Sequence, residues 1–477
     1  MKKLKLNQFL TGLILHYNCL CIGFTCGWPS SMMLLLKSED TPLNRPMTNN
    51  ELSWFGSLAF LGALFGIFFI GILMDKLGRK LCFVLVAGCE IITWLLFMFS
   101  TRVEVTLAAT LVAGMCSSGI LVTAIFVCEF SEESLRGYLT SASLVFNGLG
   151  MLVSYVCGGF LSYNTVLYLG LSMMIAGALL LMFLKESPLI LLNKGKPEEA
   201  RRSMGFYRNS HPESRLVFQE LEKIRRILSP AQQDSQSSEE KKLNPTNEEP
   251  SPTKKLSIWK IIKNSRSTKR ALAKQLVLMS LCLCQGMVVI QTYAKVIFNE
   301  TIPAEVLSAT WCSVILSSVI VLTGLLGAYL TDHLGRRTLM FISSTTCGVW
   351  CILIGTQIHL HWGPEWLTVV FFNLYCASYS VGAGIVPITY SAEILLPDVK
   401  SILGMVIVEW NFIGTFLVIF ICNTLISAIG IGPVFYIFSI VCFLTTAFCY
   451  FFMPETKGLT LEEIQMLFDK PRKPAII

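Results

Sequence analysis

The sequence predicts an all-α membrane protein in which twelve transmembrane helices form two bundles of six. Only 14% of the 477 residues are charged and 53% are hydrophobic, whereas a soluble globular protein carries about 25% charged residues. The apolar residues also stand in blocks without Asp, Glu, Lys or Arg, such as 7–36, 52–74 and 137–184, and a membrane-spanning helix needs about 20 such residues. Finally, the second half of the chain repeats motifs of the first half in the same order.

The apolar blocks predict where each helix crosses the bilayer. The run 137–184 is long enough for two spans and is divided by the turn signal Ser162–Thr165, and Gly430–Pro433 divides the last run in the same way. The expected spans are 8–34, 52–74, 81–100, 105–127, 138–160, 165–184, 273–297, 306–330, 338–358, 366–390, 402–425 and 430–453.

A polar segment separates the sixth span from the seventh. We expect an amino-terminal bundle over 1–184, a connecting segment over 185–272, a carboxy-terminal bundle over 273–453 and a tail over 454–477. Within the connecting segment, 196–228 is predicted to be helical because apolar residues recur there at helical spacing, namely Val217, Leu221, Ile224 and Leu228. The stretch Ser229–Lys255, rich in Ser, Pro, Gln and Glu, is typical of a disordered linker.

Composition and motifs exclude several classes of protein. All 17 cysteines fall inside the apolar blocks, where free cysteine behaves as a small hydrophobic residue, so we expect neither a disulfide framework nor a metal site. The chain shows no nucleophile–base set and no phosphate-binding loop, so we expect no catalytic residue and no cofactor. A nucleic-acid binder is excluded by the length of the apolar blocks.

Lysine and arginine fall mostly on one side of the predicted spans. With both termini and the connecting segment on one side, the other side receives only Lys37, Arg45, Arg102 and Lys295. Cytoplasmic loops carry an excess of Lys and Arg, so both termini are expected in the cytoplasm. The sequon Asn299-Glu300-Thr301 would then lie outside the cell, where Asn299 is a candidate glycosylation site.

Three features recur in both halves. They are an Asp followed by Gly-Arg after spans two and eight, an acid with a base seven residues later after spans four and ten, and a glutamate turn after spans six and twelve. Their places are Gly71–Lys80 and Ala328–Arg337, Glu129 with Arg136 and Glu393 with Lys400, and Glu186–Pro188 and Pro454–Gly458. Such a repeat predicts two similar bundles around a central path.

Every repeated charge is expected on the cytoplasmic rim. Acids and bases there would pair across the two bundles when this face is closed and separate when it opens. The candidate gate residues are Asp75, Arg79, Glu129, Arg136, Asp332, Arg336, Glu393 and Lys400. The alternative is that these charges only anchor the loops, although anchoring requires neither the acids nor their spacing.

These motifs resemble those of the sugar porter family of the major facilitator superfamily, over about 10–465. The matches are G-x3-D-x2-G-R-[RK] at Gly71–Lys80 with its second copy at 332–337, E-x6-R-G at Glu129–Gly137, and the span ends Lys185–Pro188 and Pro454–Gly458. The short first external loop, Lys194–Ala200 and Pro454–Glu463 are most similar to insect facilitated trehalose transporters. The resemblance implies the major facilitator fold and sugar transport by alternating access.

The chain departs from the family pattern along the substrate path. Where the family carries Q-Q-x-S-G-x-N on span seven, this chain reads Cys282-Leu-Cys-Gln-Gly-Met-Val288, and Leu144 stands at the usual glutamine position of span five. On span ten, G-x-G-P-x-P-W becomes Gly382–Ile388, without one proline and the tryptophan. Because a hydroxyl-binding site depends on such polar partners, a hexose site would be weakened, or the substrate has changed.

Other polar side chains on or near these spans are candidates for binding the substrate. They are Gln285, Gln291, Tyr293, Glu409, Trp410, Asn411 and Asn147. For each of them, ordinary helix packing is the alternative.

Acids inside spans are candidate functional sites, and here they are Glu90 and Glu409. Proton-coupled sugar porters resemble this chain but carry an aspartate on span one, where Ile22–Trp28 contains no acid. We therefore expect facilitated, uncoupled transport. Glu90 lies on a span expected at the periphery of the bundle, and Glu409 is a candidate proton or substrate site or a buried acid bonded to a neighbouring helix.

The leading hypothesis is a plasma-membrane carrier of trehalose or a hexose that works as a monomer in the lipid bilayer. One alternative is a nutrient receptor that has lost transport and signals through its cytoplasmic segments. The other is a carrier of a polyol or another organic solute. An enzyme is disfavoured.

Overall fold

The computed structural model describes residues 6–228, 265–303, 307–395, 397–459 and 461–469, which are almost entirely helical. The first half consists of α1 (Leu6–Lys37), α2 (Asn49–Leu77), α3 (Arg79–Phe99), α4 (Val103–Cys116), α5 (Ser118–Phe130), α6 (Glu133–Phe160) and α7 (Tyr163–Leu181). Three short helices follow: α8 (Pro188–Asn193), α9 (Pro197–Arg208) and α10 (Arg215–Leu228). The second half consists of α11 (Arg266–Leu283), α12 (Met287–Thr301), α13 (Ala309–Leu334), α14 (Arg336–Leu360), α15 (Trp366–Val381), α16 (Val386–Ile394), α17 (Pro397–Ile429), α18 (Ile431–Phe452) and α19 (Leu461–Asp469).

Twelve helical segments of this described part are long and apolar enough to cross a membrane, which confirms the predicted number of spans. Both turn signals divide spans as predicted, since Ser162 caps α7 and Gly430 directly precedes α18. Span seven differs most from its expected bounds, because it begins at Arg266 rather than at 273. Spans four, seven and ten each consist of two helices, namely α4–α5, α11–α12 and α15–α16, although continuous helices were expected.

Spans one and five pack closely through small residues. Gly23 and Gly27 of α1 face Asn147 and Met151 of α6, and a Cβ at Gly23 would clash with the carbonyl oxygen of Asn147. Small residues let transmembrane helix backbones approach each other. These two glycines therefore hold α1 directly against α6.

The connecting segment is fastened to the first half. Val217 and Leu221 of α10 are buried with Met204 of α9, which confirms the predicted helical character, although two helices stand where one stretch was expected. Arg208 Nη1 donates to the carbonyl of Phe130 (2.8 Å). The predicted disordered stretch Ser229–Lys255 lies outside the described residues.

The molecule has two faces across the membrane. We call the face that carries α8–α10 and α19 the terminal face and the other one the opposite face. Asn7 Nδ2 near the start of α1 donates to the carbonyl of Phe206 in α9 (2.7 Å), so the chain start and the connecting helices share the terminal face.

Candidate functional site

The break in span seven shapes the middle of the second half. Gly286, between α11 and α12, has a φ of +99°, in the left-handed region that favours glycine. The break frees backbone carbonyls, and span ten supplies their donors: the Tyr375 hydroxyl donates to the carbonyl of Gln285 (2.8 Å) and the Tyr379 hydroxyl to that of Cys282 (3.3 Å). Irregular backbone within a membrane is stable only where its polar groups are satisfied, so two tyrosines stabilise this break.

Two of the span-seven candidates lie inside helix interfaces. Gln285 is fully buried, and its Nε2 donates to Ser344 Oγ on α14 (3.3 Å). Tyr293 is 2% exposed, lies against Gly56 of α2, and its hydroxyl has no hydrogen-bond partner within the described ranges. In this conformation both side chains pack against neighbouring helices.

Three consecutive candidates on α17 carry an acid, an indole and an amide. Trp410 is 44% exposed, and its Nε1 donates to Ser280 Oγ on α11 (2.9 Å). Both carboxylate oxygens of Glu409 are shielded from solvent without a hydrogen-bond partner among the residues described, and Asn411 is half-buried. Successive residues of a helix point about 100° apart, so these three side chains face different directions.

The remaining two candidates lie on helices α12 and α6. Gln291 is half-buried, and its backbone carbonyl accepts from the Tyr155 hydroxyl (2.8 Å). Asn147 Nδ2 donates to the carbonyl of Cys19 (3.4 Å). The predicted binding residues thus contact different neighbours and do not form one cluster in this conformation.

The expectation that Glu90 lies at the periphery is wrong. Glu90 is 3% exposed and accepts a hydrogen bond at Oε2 from Thr25 Oγ1 of span one (2.8 Å), and Trp94 Nε1 donates to the same hydroxyl (3.1 Å). The reason is that α3 turns this face toward α1, while Leu85 and Ile92 on its other face are exposed. The acid therefore belongs to the interior of the first half.

The rim charges of the first half form one cluster at the terminal face. Arg79 Nη2 lies 2.6 Å from Glu129 Oε1, and its Nη1 lies 3.1 Å from Asp75 Oδ1. Glu186 Oε1 accepts from the backbone N–H of Arg79 (2.9 Å). The first N–H groups of a helix lack partners within it and favour negative charge, so Glu186 caps α3. The preceding Gly78 has a φ of +105°, and a Cβ there would clash with the Glu186 carboxylate.

The second half repeats this arrangement. Arg336 Nη2 lies 2.8 Å from Glu393 Oε1. Glu455 accepts from the backbone N–H groups of Arg336 (2.9 Å) and Arg337 (3.0 Å) at the start of α14. The glutamate turns that the sequence repeat singled out are therefore caps of spans three and nine.

The rim pairs described here lie within each half. Pairing across the halves, expected when this face is closed, stays a prediction for that other state. Arg136 is exposed in this conformation. The side chains of Asp332 and Lys400 lie outside the described residues.

The two halves are joined near the opposite face. Lys295 Nζ on α12 donates to the carbonyls of Ser31 (3.0 Å) and Gly158 (3.3 Å) in the first half. From the second half as well, Asn423 Nδ2 donates to the carbonyl of Asn49 (3.1 Å). Sequence reasoning recorded Lys295 only as a cation on the external side, because a carbonyl acceptor leaves no mark in the sequence.

Aromatic side chains reinforce this closure. Trp54 of α2 contacts Phe420 of α17 with ring centroids 4.9 Å apart, and Phe160 of α6 contacts Trp311 of α13 at 5.0 Å. The candidate glycosylation residue Asn299 is exposed near the end of α12 on the same face.

Comparison with known proteins gives a consistent result. Residues 5–468 match the family model described as "Sugar (and other) transporter". The facilitated trehalose transporter Tret1 of Polypedilum vanderplanki is 24% identical, with 96% of this chain and 87% of the relative covered. Tret1 of Bombyx mori is 25% identical, with 96% and 86% covered.

Among solved structures, the inward-open xylose transporter XylE from E. coli superposes with a TM-score of 0.75. The two chains are 17% identical, and the alignment covers 96% of this chain and 99% of the other. At this identity the likeness shows a shared fold.

Proposed function

This chain belongs to the sugar (and other) transporter family, and on that premise we propose that it is a plasma-membrane carrier that moves trehalose by facilitated transport. Its fold is the major facilitator fold, and it is a multi-pass membrane protein, as predicted. The family's function, carriage of a sugar across the membrane, agrees with the leading hypothesis. The substrate, the energetics, the membrane and the orientation are the parts that we propose.

One observation carries the choice of trehalose. The curated relatives that match 96% of this chain are named facilitated trehalose transporters. The altered span seven is compatible with a substrate other than a common hexose, because Cys282 and Val288 cannot replace the hydrogen bonds of amides. The half-buried groups that remain for hydroxyl recognition are Gln291, Trp410 and Asn411.

Two features support uncoupled transport. Span one has no acid between Ile22 and Trp28, and the buried Glu90 already accepts a hydrogen bond from Thr25 of that span. Coupling to protons needs a titratable group whose exposure changes between states, and such groups are rare within membranes. Glu409 is then a half-buried polar residue of the carrier rather than its proton site.

Alternating access follows from the asymmetry of the two faces. The halves are joined near the opposite face by Lys295 and Asn423, whereas the rim charges of the terminal face pair within their own halves. We propose that this conformation presents the substrate path to the cytoplasm. Transport then requires the opposite face to separate and the rim charges to pair across the halves.

Uptake of labelled solutes into cells without their own hexose carriers tests the proposal. The panel is trehalose, glucose, fructose and a polyol, and cells without the carrier provide the baseline. We expect saturable trehalose uptake that levels off at the external concentration and responds little to a protonophore. Accumulation that collapses with the proton gradient contradicts uncoupled transport, and the absence of any uptake by surface-expressed protein favours the receptor.

A further inference from the structure

A single lysine links span seven to two spans of the other half. Lys295 lies on α12 toward the opposite face, and its side chain is half-buried. Its Nζ donates to the carbonyl of Ser31 on α1 (3.0 Å) and to that of Gly158 on α6 (3.3 Å). Three helices from both halves therefore meet at one ammonium group.

The acceptor on α6 is chemically suited to a cation. Gly158 lies in the last turn of α6, which ends at Phe160, and the last four carbonyls of a helix have no partner within it. They also form the negative end of the helix dipole. The ammonium of Lys295 thus satisfies a carbonyl that the helix itself leaves free.

The interaction exists only while the opposite face is closed. Separation of α12 from α1 and α6 breaks both hydrogen bonds, and the ammonium must then be hydrated, because an unsolvated cation within the membrane is very unfavourable. A lysine can make this exchange, since its flexible stem carries the charge to water. The same side chain therefore has a favourable environment in each state, but with different partners.

We propose that Lys295 is a positioning residue of the transport cycle, which sets the balance between the two access states by bonding to main-chain carbonyls of the first half. The proposal rests on the alternating access proposed above. Tyr155 and Asn423 add hydrogen bonds between the halves, but both are neutral. Among the cross-half donors named here, only Lys295 carries a charge.

The first test needs no substrate. In the purified full-length protein, Lys295→Met removes the ammonium, and Lys37→Met removes an exposed lysine at the end of α1 on the same face as a matched control. We expect the backbone amides of residues 28–37 and 288–303 to exchange their hydrogens faster in Lys295→Met than in the wild type or the control. Unchanged exchange in both segments overturns the proposal, whatever the substrate of the carrier.

The second test separates a gating role from a general loss of stability. The half-saturation concentration for uptake is inversely proportional to the fraction of carrier open to the outside, and that for efflux to the fraction open to the inside. Intramembrane hydrogen bonds measured elsewhere correspond to about three- to twentyfold in an equilibrium constant. We therefore expect Lys295→Met to raise the ratio of efflux to uptake half-saturation by about that factor.

Conservative variants complete the design. Lys295→Arg retains the charge and should restore most of the wild-type ratio, and Lys295→Gln gives the neutral comparison should the methionine variant not reach the membrane. A neutral variant that lowers the maximal rate but leaves the ratio unchanged overturns the proposal. If the exchange pattern shifts while the wild type carries no sugar, the proposed substrate fails and the role of Lys295 stands.

Discussion

The arginines that follow Gly78 and Gly335 organise the rim residue by residue. Arg79 holds Asp75 and Glu129, and Arg336 holds Glu393, while the backbone N–H of each arginine donates to a glutamate from a later turn. Each arginine thus ties the start of one span to two other parts of its half. This explains why the motif needs arginine together with acids at distant positions.

Replacement of Arg336 tests this role. Arg336→Gln removes the charged partner of Glu393, and the loss of one hydrogen bond to a charged group, worth about 1.5 kcal/mol, corresponds to about a tenfold change in an equilibrium. We expect uptake to fall by about that factor with little change in surface abundance. Arg102→Gln, on the opposite face, is the control. Wild-type uptake in Arg336→Gln would leave these charges as topology anchors.

Glu409 is the residue on which the energetics can be checked. Its carboxylate oxygens have no hydrogen-bond partner in the described part of the chain, and glutamine has nearly the same shape without a titratable proton. We expect Glu409→Gln to retain net trehalose flux within about twofold, since an uncoupled carrier needs no proton cycle. Uptake is measured with and without a protonophore, beside Glu365→Gln in an exposed loop. Accumulative uptake in the wild type that the variant loses would assign coupling to Glu409.

Single residues were predicted unevenly from the sequence. The rim acids and bases stood out because charges at a repeated spacing need a reason, and Arg79, Glu129, Arg336 and Glu393 do pair. The binding candidates were less certain, because the polarity of Gln285 does not reveal that it points toward Ser344. Burial of Glu90 followed from the helical spacing of Val86, Glu90, Trp94 and Phe97, all buried on one face, although span three was expected to lie outside.

Among the helices, the divided spans are the most informative elements. Hydropathy predicted every span but not the breaks in spans four, seven and ten, because a broken helix is as apolar as a continuous one. In span seven the only local sign is Gly286, and the donors that make the break stable, Tyr375 and Tyr379, lie on a different span. Breaks of this kind depend on tertiary contacts and cannot be predicted from a hydropathy profile.

The break in span seven makes a direct prediction. Gly286→Ala places a Cβ at a φ of +99°, where it would clash with the ring of Phe438, and the left-handed backbone alone disfavours alanine by about 1–2 kcal/mol. We expect a lower thermal unfolding temperature and at least a tenfold loss of uptake. Gly324→Ala, within α13 and with open space around its Cβ position, is the control and should keep both properties. Equal behaviour of the two variants would show that the break does not require glycine.

The molecule as a whole consists of two halves with matching rims. The repeat of motifs predicted this organisation, and the caps by Glu186 and Glu455 show that the matching extends to individual hydrogen bonds. The closure of the opposite face was not predicted, because Lys295 and Asn423 donate to main-chain atoms. Sequence repeats therefore report the architecture of each half but not how the halves meet.

The orientation of the molecule is tested by an inserted tag. The excess of Lys and Arg predicts that the connecting segment is cytoplasmic, so an epitope near Gln236 should bind antibody only after cells are permeabilised. An epitope beside Gly363, in the loop between α14 and α15, should be labelled on intact cells and serves as the control. Surface labelling at Gln236 would reverse the proposed topology.

The contacts between the halves have a consequence for the evolution of the chain. Three of the donors, on Lys295, Asn423 and Tyr155, end on the carbonyls of Ser31, Asn49 and Gln291 among others, and every amino acid carries such a carbonyl. A substitution at an acceptor position therefore requires no compensating change at the donor. Alignments of relatives should show little pairwise covariation across this seam, so the two halves can diverge in sequence almost independently while the donors alone are under selection.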